Sequence, residues 1–314
     1  MEKRKLGKEG PELTTIGLGA WAIGGPWAWG WGKQDDDKSI ATIHKSIELG
    51  INWIDTAAVY GFGHSEEVVA KALDGVRESV FLATKCGLAW GDNKKVHNDL
   101  SPKNIRRELE ASLKRLNMDY IDLYQFHWPD PSTPVEKSWE EMIKIKQEGK
   151  VRFIGVSNFN VPLMEKCLSL HHIDSLQPHY SMLSRNVESE ILPFCEKNGI
   201  GVIAYSPMHS GLLTGKFDIL RLQPDDWLHK SRDFKRPRLN RNLEFVEALR
   251  PIAEKYHKTV GQLAVAWVLR NSAVTAAIVG ARRAEQVEEN IGGPGFTIEE
   301  SDIKKIYELL QARE

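Results

Sequence analysis

The sequence predicts an α/β chain closed into a (β/α)8 TIM barrel, one domain over residues 1–314 with extra helices and a long loop after strand 7. Three observations carry that expectation. Short apolar runs alternate with amphipathic stretches along the chain, the rhythm of parallel strands joined by helices. Eight such units can be counted with no composition break or linker between them, which favours a barrel over an open sheet. Three of the runs also stop at a chemically capable side chain. Ile51-Asn52-Trp53-Ile54 ends at Asp55, Val80-Phe81-Leu82-Ala83-Thr84 at Lys85, and Ile121-Asp122-Leu123-Tyr124-Gln125-Phe126 at His127. The carboxyl ends of barrel strands share one rim, where chemistry sits.

The units follow in order. A strand near 16–18 and a helix over about 36–49 make the first. The strand at 51–54 leads to a helix over 65–73 that carries Glu66 and Glu67 in its first turn, where carboxylates favour the helix dipole. Strand 80–84 leads to Ser101-Pro102, an N-cap followed by proline at the first helical position, and a helix to about Leu116. Strand 120–126 precedes helix 134–148, strand 151–156 precedes helix 161–170, and strand 174–177 precedes helix 187–198. Strand 200–204 and a last strand at 276–279, followed by a helix over 284–291, complete the count. Residues 207–240, rich in Pro, Arg, Asp and Trp, read as a long functional loop over the rim. Helices at about 242–257, 260–271 and 299–312 read as additions outside the repeat.

Composition excludes several classes. Lys plus Arg total 42 and Asp plus Glu 43, a formal net charge of -1, so nothing global attracts nucleic acid or an anionic membrane. The three cysteines, Cys86, Cys167 and Cys195, have no metal or redox spacing and read as reduced thiols of a cytoplasmic protein. No apolar signal segment follows Met1, and the longest apolar stretch is too short to span a bilayer. None of the ten histidines forms H-x-H or H-E-x-x-H, so no metal site is expected. Gly17-x-Gly19-x-x-Ala22 fits the dinucleotide fingerprint, but that motif works only when it opens a helix. Here the chain runs into Gly24-Gly25-Pro26-Trp27-Ala28-Trp29-Gly30-Trp31-Gly32, so the match is accidental.

At Asp55-Thr56-Ala57-Ala58-Val59-Tyr60-Gly61, Thr84-Lys85-Cys86-Gly87 and Asp122 to Pro129 the chain resembles the aldo-keto reductase family. So do Gly17 to Trp21, Ile154 to Phe159, Gln177, Tyr205-Ser206-Pro207, Gly211 to Lys216 and Gly280 through Asn290, in the family's order across almost the whole chain. The His127-Trp128-Pro129-Asp130-Pro131 stretch is similar to a bacterial branch. The resemblance implies the (β/α)8 fold and NADPH-dependent reduction of a small aldehyde or ketone.

Such a reduction needs a hydride on carbon, which the cofactor supplies, and a proton on oxygen. Tyr60 is the expected acid, although a free phenol titrates at about 10. An ammonium at Lys85 would lower that value, and Asp55 would keep the lysine charged and placed. His127 would hydrogen-bond the substrate oxygen. Singly, each has a plain account: a packed tyrosine, a structural ion pair, a structural histidine.

By the same resemblance Ser157, Asn158 and Gln177 would hold the nicotinamide amide and Tyr205 would stack on its ring, with Ala20, Trp21 and Asp55 nearby. Ser206, Pro207, Gly211, Leu212 and Lys216 fit a pyrophosphate clasp. Gly280, Ala281, Arg282, Gln286, Glu289 and Asn290 would meet the adenosine end. Arg282 and Arg283 suit the 2′-phosphate that favours NADPH over NADH, although Gln286 stands where many relatives carry arginine. Among ten tryptophans, Trp21, Trp29, Trp90 and Trp128 are expected to shape a flat apolar substrate pocket. The chain ends soon after its last helix, which leaves substrate choice to the Trp-rich loop and to 207–240. Two rivals stand beside this reading: a Schiff-base aldolase using Lys85 as nucleophile, and a cofactor-sensing module like the potassium-channel β subunits. The sequence does not separate a monomer from a homo-oligomer.

Overall fold

Eight parallel strands pair in chain order and close on themselves in the computed structural model, which describes residues 1–222 and 226–313. They are β1 Ile16–Gly19, β2 Trp53–Asp55, β3 Phe81–Cys86, β4 Ile121–Phe126, β5 Val151–Ser157, β6 Ser175–Gln177, β7 Gly201–Tyr205 and β8 Val274–Gly280, and β8 pairs with β1. The strands read as apolar runs because both faces are covered, one by the barrel interior and one by helices. Trp53, Ala83, Leu123, Ile203, Ala276 and Ile278 fill the interior, and a larger apolar shell surrounds it.

The connecting helices are α1 Asp36–Glu48, α2 His64–Leu73, α3 Pro102–Leu116, α4 Val135–Gln147, α5 Val161–Leu168, α6 Ile191–Asn198, α7 Arg238–Lys255, α8 Val260–Leu269, α9 Ala284–Asn290 and α10 Glu300–Arg313. The α3 start follows the sequence signal: Ser101 Oγ accepts from the Asn104 amide at 3.4 Å, with Pro102 in the first turn. α6 begins at Ile191 rather than 187, because Glu188 is held as a turn by hydrogen bonds from Arg185 and from the Tyr180 hydroxyl. α7 starts four residues before the expected 242, at Arg238.

One assignment needs correction. α8 is not an addition to the repeat: it packs against β8 as the helix of the seventh unit. Nine of its ten residues are buried, and the capping box of Thr259 and Gln262 opens it. The added helices are α7 and α10, which pack on each other outside the barrel.

Two hairpins were not legible as strands. Lys3–Lys5 pairs antiparallel with Glu12–Thr14 and delivers Leu6 and Leu13 into the base of the barrel interior. Leu88–Trp90 pairs with Val96–Asn98 beyond β3. The expected loop over 207–240 contains single 3-10 turns at Leu212–Thr214, Ile219–Arg221, Trp227–Lys230 and Arg232–Phe234; its residues 223–225 lie outside the described residues.

The glycines of the false fingerprint have a packing role. A Cβ at Gly17 would stand 2.1 Å from Trp53 Cε2, and one at Gly19 would stand 2.8 Å from Ile278 Cγ2. After Gly19 the chain makes one 3-10 turn, Trp21–Gly24, and no α-helix. Among the described residues no helix is long and apolar enough to cross a membrane, and no cluster of His, Cys, Asp and Glu could hold a metal. All three cysteines are buried and free.

Candidate active site

β2, β3 and β4 are neighbours in the barrel, so the residues at their carboxyl ends meet on the rim. Asp55 ends β2, Lys85 lies in the last turn of the ladder in β3, and the His127 amide donates to the Cys86 carbonyl at 2.9 Å just beyond β4. Tyr60 arrives on the turn after β2. That turn interlocks with the β1 loop through two glycines: a Cβ on Gly61, at φ 63°, would come within 2.0 Å of the Gly24 carbonyl oxygen.

The expected quartet converges. Lys85 Nζ donates to Asp55 Oδ2 at 2.7 Å, to the Thr56 carbonyl at 2.8 Å and to the Tyr60 hydroxyl oxygen at 3.3 Å. Gln177 Nε2 donates to the other Asp55 oxygen at 2.9 Å. The Tyr60 and His127 rings meet edge to face at 5.7 Å. Relative exposures are 1% for Lys85, 3% for Asp55 and 8% for Tyr60, so water screens these interactions little.

Burial decides the electrostatics. It raises the Asp55 carboxyl and lowers the Lys85 ammonium, each opposed by the other's charge. Burial, seconded by the Asp55 charge, pushes the Tyr60 phenol well above its ordinary value. The sequence-based expectation of a lowered phenol is therefore reversed, because Lys85 shares its charge with a carboxylate and the rings exclude water. Burial and the Lys85 charge hold the His127 imidazole well below its ordinary value, so it is neutral at pH 7.

A second layer went unread in the sequence. Glu66, fully buried in the first turn of α2, accepts from Thr84 Oγ1 at 2.7 Å and from Arg115 Nε at 2.6 Å. Its charge helps keep Lys85 protonated. Placement in a helix first turn masked that role, since surface carboxylates occupy the same position.

Around the next strand ends the remaining expected residues gather. Ser157 Oγ donates to the Gln177 carbonyl at 2.8 Å, and Asn158 Nδ2 donates to the His127 carbonyl at 3.1 Å. The Tyr205 hydroxyl donates to Asn158 Oδ1 at 3.0 Å, with Asn158 in a left-handed conformation at φ 62°. The Tyr205 ring lies nearly parallel to His179, at 5.1 Å and 13°. The loop that follows carries Pro207 and has left-handed backbone at Ser206, His209, Ser210 and Gly211, then enters the turn containing Leu212. A Cβ on Gly211 would meet nothing within 4 Å, and one on Gly280 only the Gly19 carbonyl at 3.9 Å.

Lys216 Nζ donates to both carboxylate oxygens of Glu289, at 2.8 and 2.7 Å, tying this loop to α9. Gln286 accepts from the Arg282 amide at 2.8 Å, and Asn290 Nδ2 donates to the Gly280 carbonyl at 3.4 Å. The Arg282 guanidinium donates to Gln34 Oε1 at 2.8 Å and to the Lys33 carbonyl at 2.7 Å, whereas Arg283 approaches Glu285 at 3.9 Å. Ala20 donates its amide to the Asp55 carbonyl at 2.8 Å, and Ala281 is buried beside β8.

The aromatic wall differs from the expected set. Trp21 and Trp90 pack in the cluster that contains Tyr60. Trp29 and Trp128 are 42% and 43% exposed, and Trp29 meets Trp27 edge to face at 5.5 Å. Trp27, Trp31, Phe62 and Trp227 also join the cluster. The clustering of tryptophans at 21–31 signalled Trp27 and Trp31, and Trp227 is the tryptophan of the 207–240 loop expected over the rim.

A closed parallel barrel with an Asp–Lys–Tyr–His rim defines a class of carbonyl oxidoreductases. The chain belongs to the Aldo/keto reductase family, whose sequence profile matches residues 15–311, and so is an oxidoreductase of carbonyl compounds served by a nicotinamide cofactor. It is 40% identical over 315 residues to aldo-keto reductase YhdN of Bacillus subtilis (strain 168), covering 99% of this chain and 94% of that one. To the NADH-specific methylglyoxal reductase of Escherichia coli (strain K12) it is 38% identical over 329 residues, covering all of both. Among solved structures, the glycerol dehydrogenase AKR11B4 from Gluconobacter oxydans superposes with a TM-score of 0.91 at 39% identity, covering 99% of this chain and 95% of that one.

Proposed function

We propose that this protein reduces small aldehydes or activated ketones to alcohols in the cytoplasm, with NADPH as hydride donor and Tyr60 as proton donor. The observation that carries the reading is the Tyr60 hydroxyl oxygen lying 3.3 Å from Lys85 Nζ in a buried site. The raised phenol stays protonated at neutral pH and so holds a proton ready. As that proton moves to the substrate oxygen, negative charge grows on the phenol oxygen beside the ammonium. An already placed cation stabilises it without reorganisation. Asp55 positions Lys85, and Gln177 positions Asp55. Neutral His127 orients the carbonyl oxygen, a role that suits an imidazole held uncharged.

NADPH supplies the hydride when bound, and the residues present fit a dinucleotide. Ser157, Asn158 and Gln177 are linked to one another and, through Asn158, to the Tyr205 hydroxyl, which suits a site for an amide beside an aromatic ring. The backbone at 209–211 is left-handed, and Gly211 and Gly280 leave open space where a side chain would intrude on a bound dinucleotide. The Lys216–Glu289 pair could close across a pyrophosphate. Arg282 and Arg283 support the 2′-phosphate, and with it NADPH.

A second reading, NADH, has its own support: the Arg282 guanidinium already bonds Gln34 and Lys33, and the Escherichia coli relative is named NADH-specific. The Lys85 aldolase is disfavoured because Nζ has three acceptors within 3.3 Å, which engages its three protons. The test is a panel of small aldehydes and ketones assayed with NADPH and with NADH. Turnover with higher kcat/KM for NADPH supports the proposal, and an NADH preference overturns the cofactor assignment. Cofactor binding without turnover of any carbonyl would favour the sensing module, and borohydride trapping of substrate on Lys85 would favour the aldolase.

A further inference from the structure

Tyr205 is the ring expected to carry the nicotinamide, and one of its two faces is already taken. His179 lies against it with ring centroids 5.1 Å apart and planes 13° from parallel. The backbone fixes that contact. Beyond the end of β6, the Tyr205 amide donates to the Pro178 carbonyl at 3.0 Å, and the Tyr180 amide donates to the Tyr205 carbonyl at 3.3 Å. His179 stands between those two bonds, bridged to Tyr205 in parallel register. Residues paired in this way carry their side chains on the same face of the sheet.

The stack continues past His179. His209 lies 5.3 Å and 24° from it, and Phe234 lies 6.4 Å and 10° from His209. His209 is held at both ring nitrogens, by Ser181 Oγ at 3.1 Å and by Asp233 Oδ2 at 2.9 Å. Arg238 Nε, in the first residue of α7, donates to the other Asp233 oxygen at 2.5 Å. The column Tyr205–His179–His209–Phe234 is thus anchored in the loop between β7 and α7.

His179 differs from His209 in its polar atoms. Its Nε2 is buried without a hydrogen-bond partner, and burial keeps the imidazole uncharged at neutral pH. A buried nitrogen without a partner is costly, and an apolar side chain of similar size would fill the space without that cost. What the position uses is the flat ring. Parallel, offset rings at this separation attract each other beyond simple burial. With His179 on one face and the hydroxyl held on Asn158 Oδ1 at 3.0 Å, the Tyr205 ring resists tilting. Tyr205 is itself only partly buried, so it keeps surface for a ligand.

We propose that His179 is a positioning residue for hydride transfer, backing the Tyr205 ring so that its other face seats the nicotinamide. This rests on the nicotinamide-dependent reductase reading, with Tyr205 as the platform, and the test separates the two. The quantities to measure are the Kd for NADPH and the Kd for 2′-phospho-ADP-ribose, which lacks only the nicotinamide. NADH and ADP-ribose make the same comparison should the parent prefer NADH. His179→Leu fills the space and discards the unpaired nitrogen, whereas His179→Phe keeps a ring.

The parent binds the whole dinucleotide more tightly than the truncated one. His179→Leu weakens the dinucleotide about fivefold, the scale of one lost ring stack, and leaves the truncated ligand unchanged. His179→Phe keeps the parent values for both. Should the leucine variant not fold, His179→Met asks the same question with a more adaptable side chain. Equal weakening of both ligands marks a merely structural role and overturns the proposal, as does a dinucleotide Kd in His179→Leu equal to the parent's. A parent that binds neither dinucleotide more tightly than its truncated form has no nicotinamide platform. That outcome fails the reading of Tyr205 itself, and the role of His179 with it.

Discussion

At Tyr60 two opposite charges compete over one phenol. Asp55 and burial favour the protonated form, and Lys85, 3.3 Å away, favours the anion. Burial prevails, so the proposed reduction should hold its rate from neutral pH upward and fall only as pH passes the ordinary phenol value of about 10. A pH profile of kcat with a good aldehyde checks this, and a decline centred near pH 8 would mean that the lysine wins. The lysine itself is a positioned charge. Lys85→Met leaves Asp55 buried without a counter-charge and should cost roughly 3–5 kcal/mol in urea unfolding. The double variant with Asp55→Asn should recover part of that loss, whereas a single variant as stable as the parent would contradict the pairing. Arg282→Ala should raise KM for NADPH several-fold more than KM for NADH; equal rises would remove the 2′-phosphate argument.

Among the elements, the turn after β2 depends most on its sequence. Gly61 adopts φ 63° with the Gly24 carbonyl against its α-carbon, and backbone cannot yield as a flexible side chain can. Gly61→Ala should therefore cost roughly 1–3 kcal/mol in stability and displace Tyr60. Lower kcat together with a lower melting temperature is the expected result, and a variant unchanged in both would show the interlock to be slack. The ends of β2, β3 and β4 were legible because buried parallel strands read as apolar runs, and Asp55, Lys85 and His127 interrupt them. The hairpins were not legible: three-residue strands such as Leu88–Trp90 are too short to show alternation. α8 misled because an apolar helix on every side has no periodicity to place it inside or outside the repeat. The Tyr60 phenol direction was hidden for a different reason, since it depends on burial under rings, Trp21 and Trp27, that reach it from the loop after β1.

For the whole molecule, buried imidazoles tie stability to pH. Burial, with the His209 charge second, lowers His179 from about 6.5 to about 4, and burial lowers His127 as well. Both bind a proton more readily in the unfolded chain, so their contribution is full above pH about 6.5 and is lost as pH falls toward 4. Near pH 4 His179 alone accounts for about 2–3 kcal/mol. Melting temperature should fall across that window and fall less in His179→Gln; an identical acid profile in the variant would assign the loss elsewhere. The barrel as a whole was legible from the count of alternating units, but closure of the rim over Tyr60 needs all eight strands at once. The proposed proton transfer is tested most directly by Tyr60→Phe, through kcat with a good aldehyde and the Kd for NADPH measured side by side. The account predicts a loss of about 10²–10⁴ in kcat with Kd within a few-fold of the parent. A variant that reduces the aldehyde as fast as the parent would contradict it.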